Sequence, residues 1–330
     1  ERGRRAAVVD VHRGLGVLAD EPDAFVAAVA APANRILTLT VSEVGYCRSP
    51  RNGRLDVDAG DVRADLADPA NPRSTIGLVA RGLAVRAATG APITVLSCDN
   101  LQSNGHVTRA VVTEFLHASS APEDVLTFVR DHVTFPNSMV DRIVPSTTSG
   151  TVTDVGELLG VDDRCPVPAE EFTMWVLEDD FAAGRPAWDR AGAIISDEVE
   201  AYELVKLRLL NGSHSLIAYL GILDGQGTIA DAWAQPFVRD AVRACITHEY
   251  LPTIALPRDF DVDAYLDSLS HRWANSALGH RTSQVGTDGS VKLLQRVPEP
   301  ALIALRDGRI PHLLALTVAF NFFAAQKLER

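Results

Sequence analysis

Ile36-Leu-Thr-Leu-Thr-Val41 running into Ser42-Glu43, and Ile93-Thr-Val-Leu96 running into Ser97-Cys98-Asp99-Asn100, decide the fold class of this 330-residue chain. Both are short runs rich in β-branched residues that end in polar groups. Pro72-Arg-Ser-Thr75 opens an amphipathic stretch through Arg86, and a second helical pattern covers His106 to Ala118 after the second strand. Strands alternating with helices are the pattern of an open parallel sheet with crossover helices, whose ligands bind where the strands end. From about Asp197 the pattern turns helical, with Gly221 to Thr228 and Leu251 to Asp261 as loops. The expectation is α/β plus α: a partial parallel-sheet domain over residues 1–195 and a mainly helical domain over residues 196–330.

Composition fits a folded enzyme, with 46% hydrophobic and 22% charged residues, enough for two cores. A net charge of -12 argues against nucleic acid as partner. Cys47, Cys98, Cys165 and Cys245 are far apart, without a CxxC pair or His-rich spacing. Reduced thiols in a cytoplasmic protein are therefore expected, with no disulfide and no metal. The apolar run from Leu313 to Ala325 is short and broken by Asn321, so no membrane span is expected. The charged opening from Glu1 has no apolar export segment after it.

Chemistry concentrates in Lys206-Leu-Arg-Leu-Leu-Asn211-Gly-Ser-His214-Ser. At about 100° per residue of an α-helix, Asn211 lies roughly 140° and His214 roughly 80° around the axis from Lys206. A base, an amide and an imidazole can then line one side of a cleft. Leu207, Leu209 and Leu210 supply apolar surface that would desolvate the amine and lower its pKa toward the range useful to a general base. On spacing alone, the same trio is also the ordinary pattern of a solvated helix face.

Tyr202-Glu-Leu-Val-Lys206-Leu-Arg-Leu-Leu-Asn211-Gly-Ser-His214-Ser-Leu-Ile-Ala-Tyr219-Leu-Gly221 closely resembles the signature helix of the mannitol dehydrogenase family of polyol-specific long-chain dehydrogenases, which includes fructuronate and tagaturonate reductases. Five further segments resemble the same family in the same order. They are Thr38-Leu-Thr-Val-Ser-Glu43-Val-Gly-Tyr46-Cys47, Ser97-Cys98-Asp99-Asn100-Leu-Gln-Ser-Asn104-Gly105, Phe135-Pro-Asn137-Ser-Met-Val-Asp141-Arg142-Ile-Val-Pro145, Trp175-Val-Leu-Glu-Asp-Asp-Phe-Ala-Ala-Gly-Arg185-Pro186, and His280-Arg281-Thr-Ser-Gln284 leading to Asp288-Gly289-Ser-Val-Lys292. The chain departs from the family at Ser276, where Pro commonly follows Asn275, and at Val291, where Gln commonly precedes the Lys.

The resemblance implies a Rossmann-type dinucleotide domain followed by a helical substrate domain, with NAD, or NADP, as cofactor. It implies Lys206 as the general base and Asn211, with Asn104 as its partner, around the developing oxyanion. His214 would hold a substrate hydroxyl. Asp141, Arg142, His280, Arg281 and Lys292 would bind the rest of an open-chain polyol or aldonate, and Glu43 would relay protons. Ser97, Asp99 and Asn100 would lie against the cofactor. The family opens on a strand and a Gly-rich turn, whereas this chain begins Glu1-Arg-Gly-Arg-Arg and has no GxGxxG. Val8-Val-Asp-Val-His-Arg13 resembles a strand that the family places late in the dinucleotide fold. The expectation is thus a chain lacking the first half of that domain and a helical portion after Arg330. The implied activity is zinc-independent, NAD(P)-dependent interconversion of a polyol and its ketose, with mannitol and fructose first. Mannonate and fructuronate come second, and a non-catalytic binding module derived from the family stands as a third reading.

Overall fold

The computed structural model describes residues 5–18 and 20–328; the opening at Glu1 and the end at Arg330 lie outside them. The chain divides into two compact units, one of residues 7–140 and 174–200, the other of residues 141–173 and the chain from Ala201 onward. The segment 141–173, expected in the first domain, thus packs with the helices. The physical reason is ionic: Asp141 and Glu170 both pair with Arg272 of the Val262–Trp273 helix.

In the sheet unit, β1 (Ile36–Leu39), β2 (Ile93–Ser97) and β3 (Val133–Thr134) form a parallel sheet in that order. Ile36 pairs with Thr94 and Leu39 with Ser97, while Ile93 pairs with Val133. All five residues of β2 are buried, as a strand covered on both faces requires. The crossover from β1 to β2 runs through the Thr75–Ala87 helix, whose N-cap Ser74 accepts a hydrogen bond from Gly77 N–H at 3.0 Å. Asp65 fixes the approach to that cap, accepting from Arg73 N–H and Ser74 N–H at 2.7 and 2.9 Å. Arg86, near the helix end, is fully buried and donates to the carbonyls of Val29, Ala31, Ala91 and Pro92. The connection to β3 uses the Asn104–Ala118 and Glu123–His132 helices. Gly105 sits where the first of these meets the chain just after β3, and a Cβ there would overlap the carbonyls of Phe135 and Pro136. A second sheet holds β4 (Ser138–Asp141), β5 (Met174–Leu177) and β6 (Ile194–Ile195) in that order.

Val8 to Arg13 forms no strand. The segment is irregular and exposed, with Val8 and Val11 at 70% and 72%, because a strand exists only where a neighbour completes its ladder and none pairs with it among the described residues.

The helical unit is built around one continuous run, Val199 to Asp224, closed by Gly225 in the left-handed conformation at φ 82°. The helix therefore extends four residues into the loop expected at Gly221, because the αL cap falls at Gly225. The loop expected from Leu251 is present apart from one short turn, Leu251–Thr253, and ends at Asp261, which caps the Val262–Trp273 helix through Ala264 N–H at 2.9 Å. The Leu313 to Ala325 run lies within the helix His312–Leu328, and no helix among the described residues is long and apolar enough to cross a membrane.

Candidate active site

Lys206 to Gly212 is not α-helical. These seven residues form a π-helical segment inside the Val199 to Asp224 run. The α-helical separation of Lys206 and Asn211 therefore does not hold. In a π-turn each N–H bonds five residues back, so residues five apart come over one another. Widening the helix thus brings Asn211 onto the Lys206 side, and segments of this kind are enriched at functional sites. A second π-segment, Ile246–Tyr250, packs against the first. The Tyr250 ring fills the space beside Gly212, where an added Cβ would collide with its phenol end. Gly212→Ala should therefore cost about 1–3 kcal/mol as overpacking. A thermal melt will show it, and the same glycine substitution made in a Tyr250→Ala background should cost less than in the wild type.

The Lys206 amine is held below its ordinary lysine pKa, mainly by burial. Arg272 and Arg296 add to that effect, and Asp141 and Glu203 oppose it. Burial disfavours the ammonium, so a larger share of the amine is unprotonated near neutrality than in water.

Asp141 is nearly fully buried. Its two oxygens accept from Arg272 Nη2 and Nη1 at 2.7 and 2.9 Å. Arg272 is gripped on its other edge by Glu170, with Nη2 and Nε donating at 2.8 and 3.0 Å, and its guanidinium carbon lies 4.1 Å from the Phe172 ring centroid. Glu170 also accepts from Ile143 N–H at 2.6 Å. The two carboxylates push the Arg272 pKa up against its burial, so the cation is locked. Arg142, the neighbour expected to share a role with Asp141, is exposed and donates to the Glu170 carbonyl at 2.9 Å.

His214 is buried, and its Nε2 has no hydrogen-bond partner among the described residues. Its ring meets that of His280 edge-on, with centroids 5.2 Å apart. Burial holds His214 well below the ordinary histidine pKa. The charges of Arg272, Arg296 and Lys292 and the neighbouring His280 act in the same direction, so the imidazole is neutral. His214, His280, Arg272, Trp273 and Asn275 line one pocket. Lys292 is half-buried and donates to the Val285 carbonyl at 3.3 Å; burial lowers its pKa, helped by Arg296. Arg281 is exposed at the start of the Thr282–Gly286 helix. The helical unit therefore gathers Lys206, Asn211, His214, Asp141, His280 and Lys292, and leaves Arg142 and Arg281 at the surface.

In the sheet unit the expected residues separate into internal clamps and exposed edge groups. Asn104 is fully buried: its amide donates to the carbonyls of Ser138 and Asp99 at 2.8 and 3.1 Å and accepts from Ser138 N–H at 2.9 Å. Both of its N–H donors are thereby used. Asn104, expected as an oxyanion donor, here ties the end of β2 to β4. Ser97 is likewise internal, bonded to the Tyr46 hydroxyl. Asp99 accepts from Val41 N–H, Ser42 N–H and the Tyr46 hydroxyl at 2.9, 2.9 and 2.7 Å. It thereby fixes Ser42 at φ 60° and ψ 169°, a backbone region normally reserved for glycine and costing about 1–3 kcal/mol. Glu43 and Asn100 are the exposed groups of that edge.

Sequence reading missed Arg272, Glu170 and Arg296. Their only sequence signal was charge inside otherwise apolar helical or loop patterns, which is also the signal of a solvated face.

A family model described as mannitol dehydrogenase Rossmann domain matches residues 1–190, and one described as mannitol dehydrogenase C-terminal domain matches residues 198–327. The chain is 42% identical over 293 residues to D-mannonate oxidoreductase of Escherichia coli (strain K12), covering 88% of this chain and 60% of that protein. It is 38% identical over 280 residues to mannitol 2-dehydrogenase of Phaeosphaeria nodorum, covering 84% and 49%. The solved ternary complex of Pseudomonas fluorescens mannitol 2-dehydrogenase with NAD and D-mannitol superposes with a TM-score of 0.84 at 36% identity, covering 93% of this chain and 62% of that one. The chain thus spans about three fifths of the length of the first of these relatives.

Proposed function

Because the chain belongs to the mannitol dehydrogenase family, we propose that the protein is an NAD(P)-dependent oxidoreductase that interconverts a sugar alcohol and its ketose, mannitol and fructose first. The observation that carries this reading is the desolvated Lys206 amine in a π-turn with Asn211, beside the locked Asp141 carboxylate and the neutral His214.

Each residue has a chemical task. Lys206 Nζ, unprotonated in the oxidation direction, takes the proton of the reacting hydroxyl and returns it in reduction. The Asn211 amide N–H faces the oxygen as its charge develops, a contact worth more in the transition state than in the bound substrate. Neutral His214 can donate to or accept from a substrate hydroxyl, and its unpartnered Nε2 suits that task. Asp141 keeps lone pairs beyond those used by Arg272, and these can accept from further hydroxyls.

The chemistry that a bound nicotinamide would supply is that of a hydride acceptor for the carbinol carbon. The chain's own residues fit such a group at the C-terminal edge of β1 and β2, where doubly wound sheets take dinucleotides. Asn100 is exposed there, and the strained Ser42–Glu43 turn is fixed by Asp99. Asn100 and this turn would hold the cofactor, with Ser97 and Asp99 acting behind them.

A second reading, oxidation of mannonate to fructuronate, is favoured by the half-buried Lys292 ammonium beside His280, which suits a terminal carboxylate, and by the likeness to D-mannonate oxidoreductase. The test is turnover of mannitol, arabinitol, sorbitol, mannonate and altronate by the native full-length protein with NAD and with NADP. Oxidation confined to short primary alcohols, or a strict need for zinc, removes the reading. If mannonate is preferred, Lys292→Ala should cost the acid more than the alcohol, since only the carboxylate loses a charge-assisted contact. No turnover with any of them would favour a non-catalytic binding module.

A further inference from the structure

The strongest unassigned feature is Arg296, the last residue of the Gly289–Arg296 helix. It is distant in sequence from the π-segment yet tied to it at two points. Its Nη1 donates to the Asn211 carbonyl at 2.9 Å and to the Ser215 hydroxyl at 2.7 Å. The two acceptors straddle the place where the π-segment Lys206–Gly212 hands over to the α-helix Ser213–Asp224. There the hydrogen-bond register changes from five residues to four. The Tyr250 ring closes the space beside Gly212 in the same stretch.

We propose that Arg296 is a positioning residue for the reaction: by bridging the Asn211 carbonyl and the Ser215 hydroxyl, it holds the π-to-α junction in register and so sets the direction in which the Asn211 amide and the Lys206 amine face the reacting oxygen. This rests on the functional reading given above. Arg296 touches neither substrate nor the reacting atoms in the proposed mechanism and acts through its neighbours. A lysine cannot replace it fully, because the planar guanidinium fixes the directions of both Nη1 N–H bonds, whereas an ammonium turns freely on a flexible stem.

Charge is the second part of the role. Asp141, Arg272, Arg296 and Glu203 are the charged groups acting on Lys206; the two arginines favour the free amine and the two carboxylates the ammonium. Losing the Arg296 cation should therefore raise the Lys206 pKa, whereas losing only its geometry should not.

The test compares Arg296→Lys, Arg296→Gln and Ser215→Ala in the native full-length protein, with Lys206→Ala as control. Two quantities are read. One is kcat in both directions against pH. The other is the pH midpoint for acylation of Lys206, followed by mass spectrometry of the labelled protein without substrate. Arg296→Lys should lower kcat about tenfold in both directions with an unmoved midpoint. Arg296→Gln should lower kcat about 10²-fold, the scale of an ångström-sized misplacement, and raise the midpoint by about one unit. Ser215→Ala should give a smaller loss of kcat with an unmoved midpoint. Wild-type kcat and midpoint in both Arg296 variants would overturn the proposal. If Arg296→Gln does not fold, full activity in both Arg296→Lys and Ser215→Ala overturns it equally. Near-normal turnover in Lys206→Ala sinks the functional reading instead, and the labelling midpoint still reports whether Arg296 acts on Lys206.

Discussion

Lys206→Ala should lower kcat for polyol oxidation by about 10²-fold or more, within the range usual for removal of a general base, while cofactor affinity hardly changes. The wild-type pH profile should carry the same signature. Oxidation needs the free amine, so log kcat/KM rises with pH and levels off above the Lys206 pKa. Burial places that pKa below the ordinary lysine value of 10.5. In Lys206→Ala this rise should vanish, and small primary amines should restore part of the lost rate by occupying the vacated space. Asn211→Ala should slow both directions with the pH rise retained, since an amide stabilises the oxyanion and carries no titrating proton. Near-normal turnover in Lys206→Ala with an unchanged profile would reduce the lysine to a helix charge and discard the mechanism.

Arg272→Ala should destabilise the helical unit by about 3–5 kcal/mol, the usual consequence of removing one partner from a buried ion cluster. Asp141 and Glu170 would be left as two buried carboxylates without their shared cation. Each now depends on Arg272 for two or more short hydrogen bonds. The adjacent Trp273 packs at a tilt against Trp233 with ring centroids 4.8 Å apart, so tryptophan fluorescence in a urea titration reports the loss directly. A midpoint equal to wild type would mean that the two carboxylates find other partners or protonate at little cost. Arg272→Ala should also reduce activity beyond the stability effect, because Asp141 loses the partner that orients it and Lys206 loses one of the two cations that favour its free form.

The parallel sheet, its crossover helix and the signature helix were legible because each rests on local rules. β-branched runs ending in polar residues gave β1 and β2, and Ser74 ahead of an amphipathic stretch gave the helix start. The cluster of Lys206, Asn211 and His214 was legible too, although for a reason the residues do not contain. An α-helical reading separates Lys206 from Asn211, and the π-register brings them together. Within that segment Gly212 meets Tyr250, 38 positions later in the chain, and Arg296 reaches the Asn211 carbonyl.

The sequence by itself determined which chemical groups are available and which local elements carry them. Only the tertiary structure decided how their hydrogen-bonding capacity is used. Asn104 reads as a free amide and is consumed between β2 and β4. Asp141 reads as half of an Asp-Arg pair with Arg142, and its true partner lies 131 positions away. A donor or acceptor is claimed by whatever the fold brings within about 3 Å of it, and an unclaimed one in the interior is costly. Neither proximity nor burial is a property of neighbours in sequence, which is why residue type indicated the available chemistry and packing alone decided how each group is engaged.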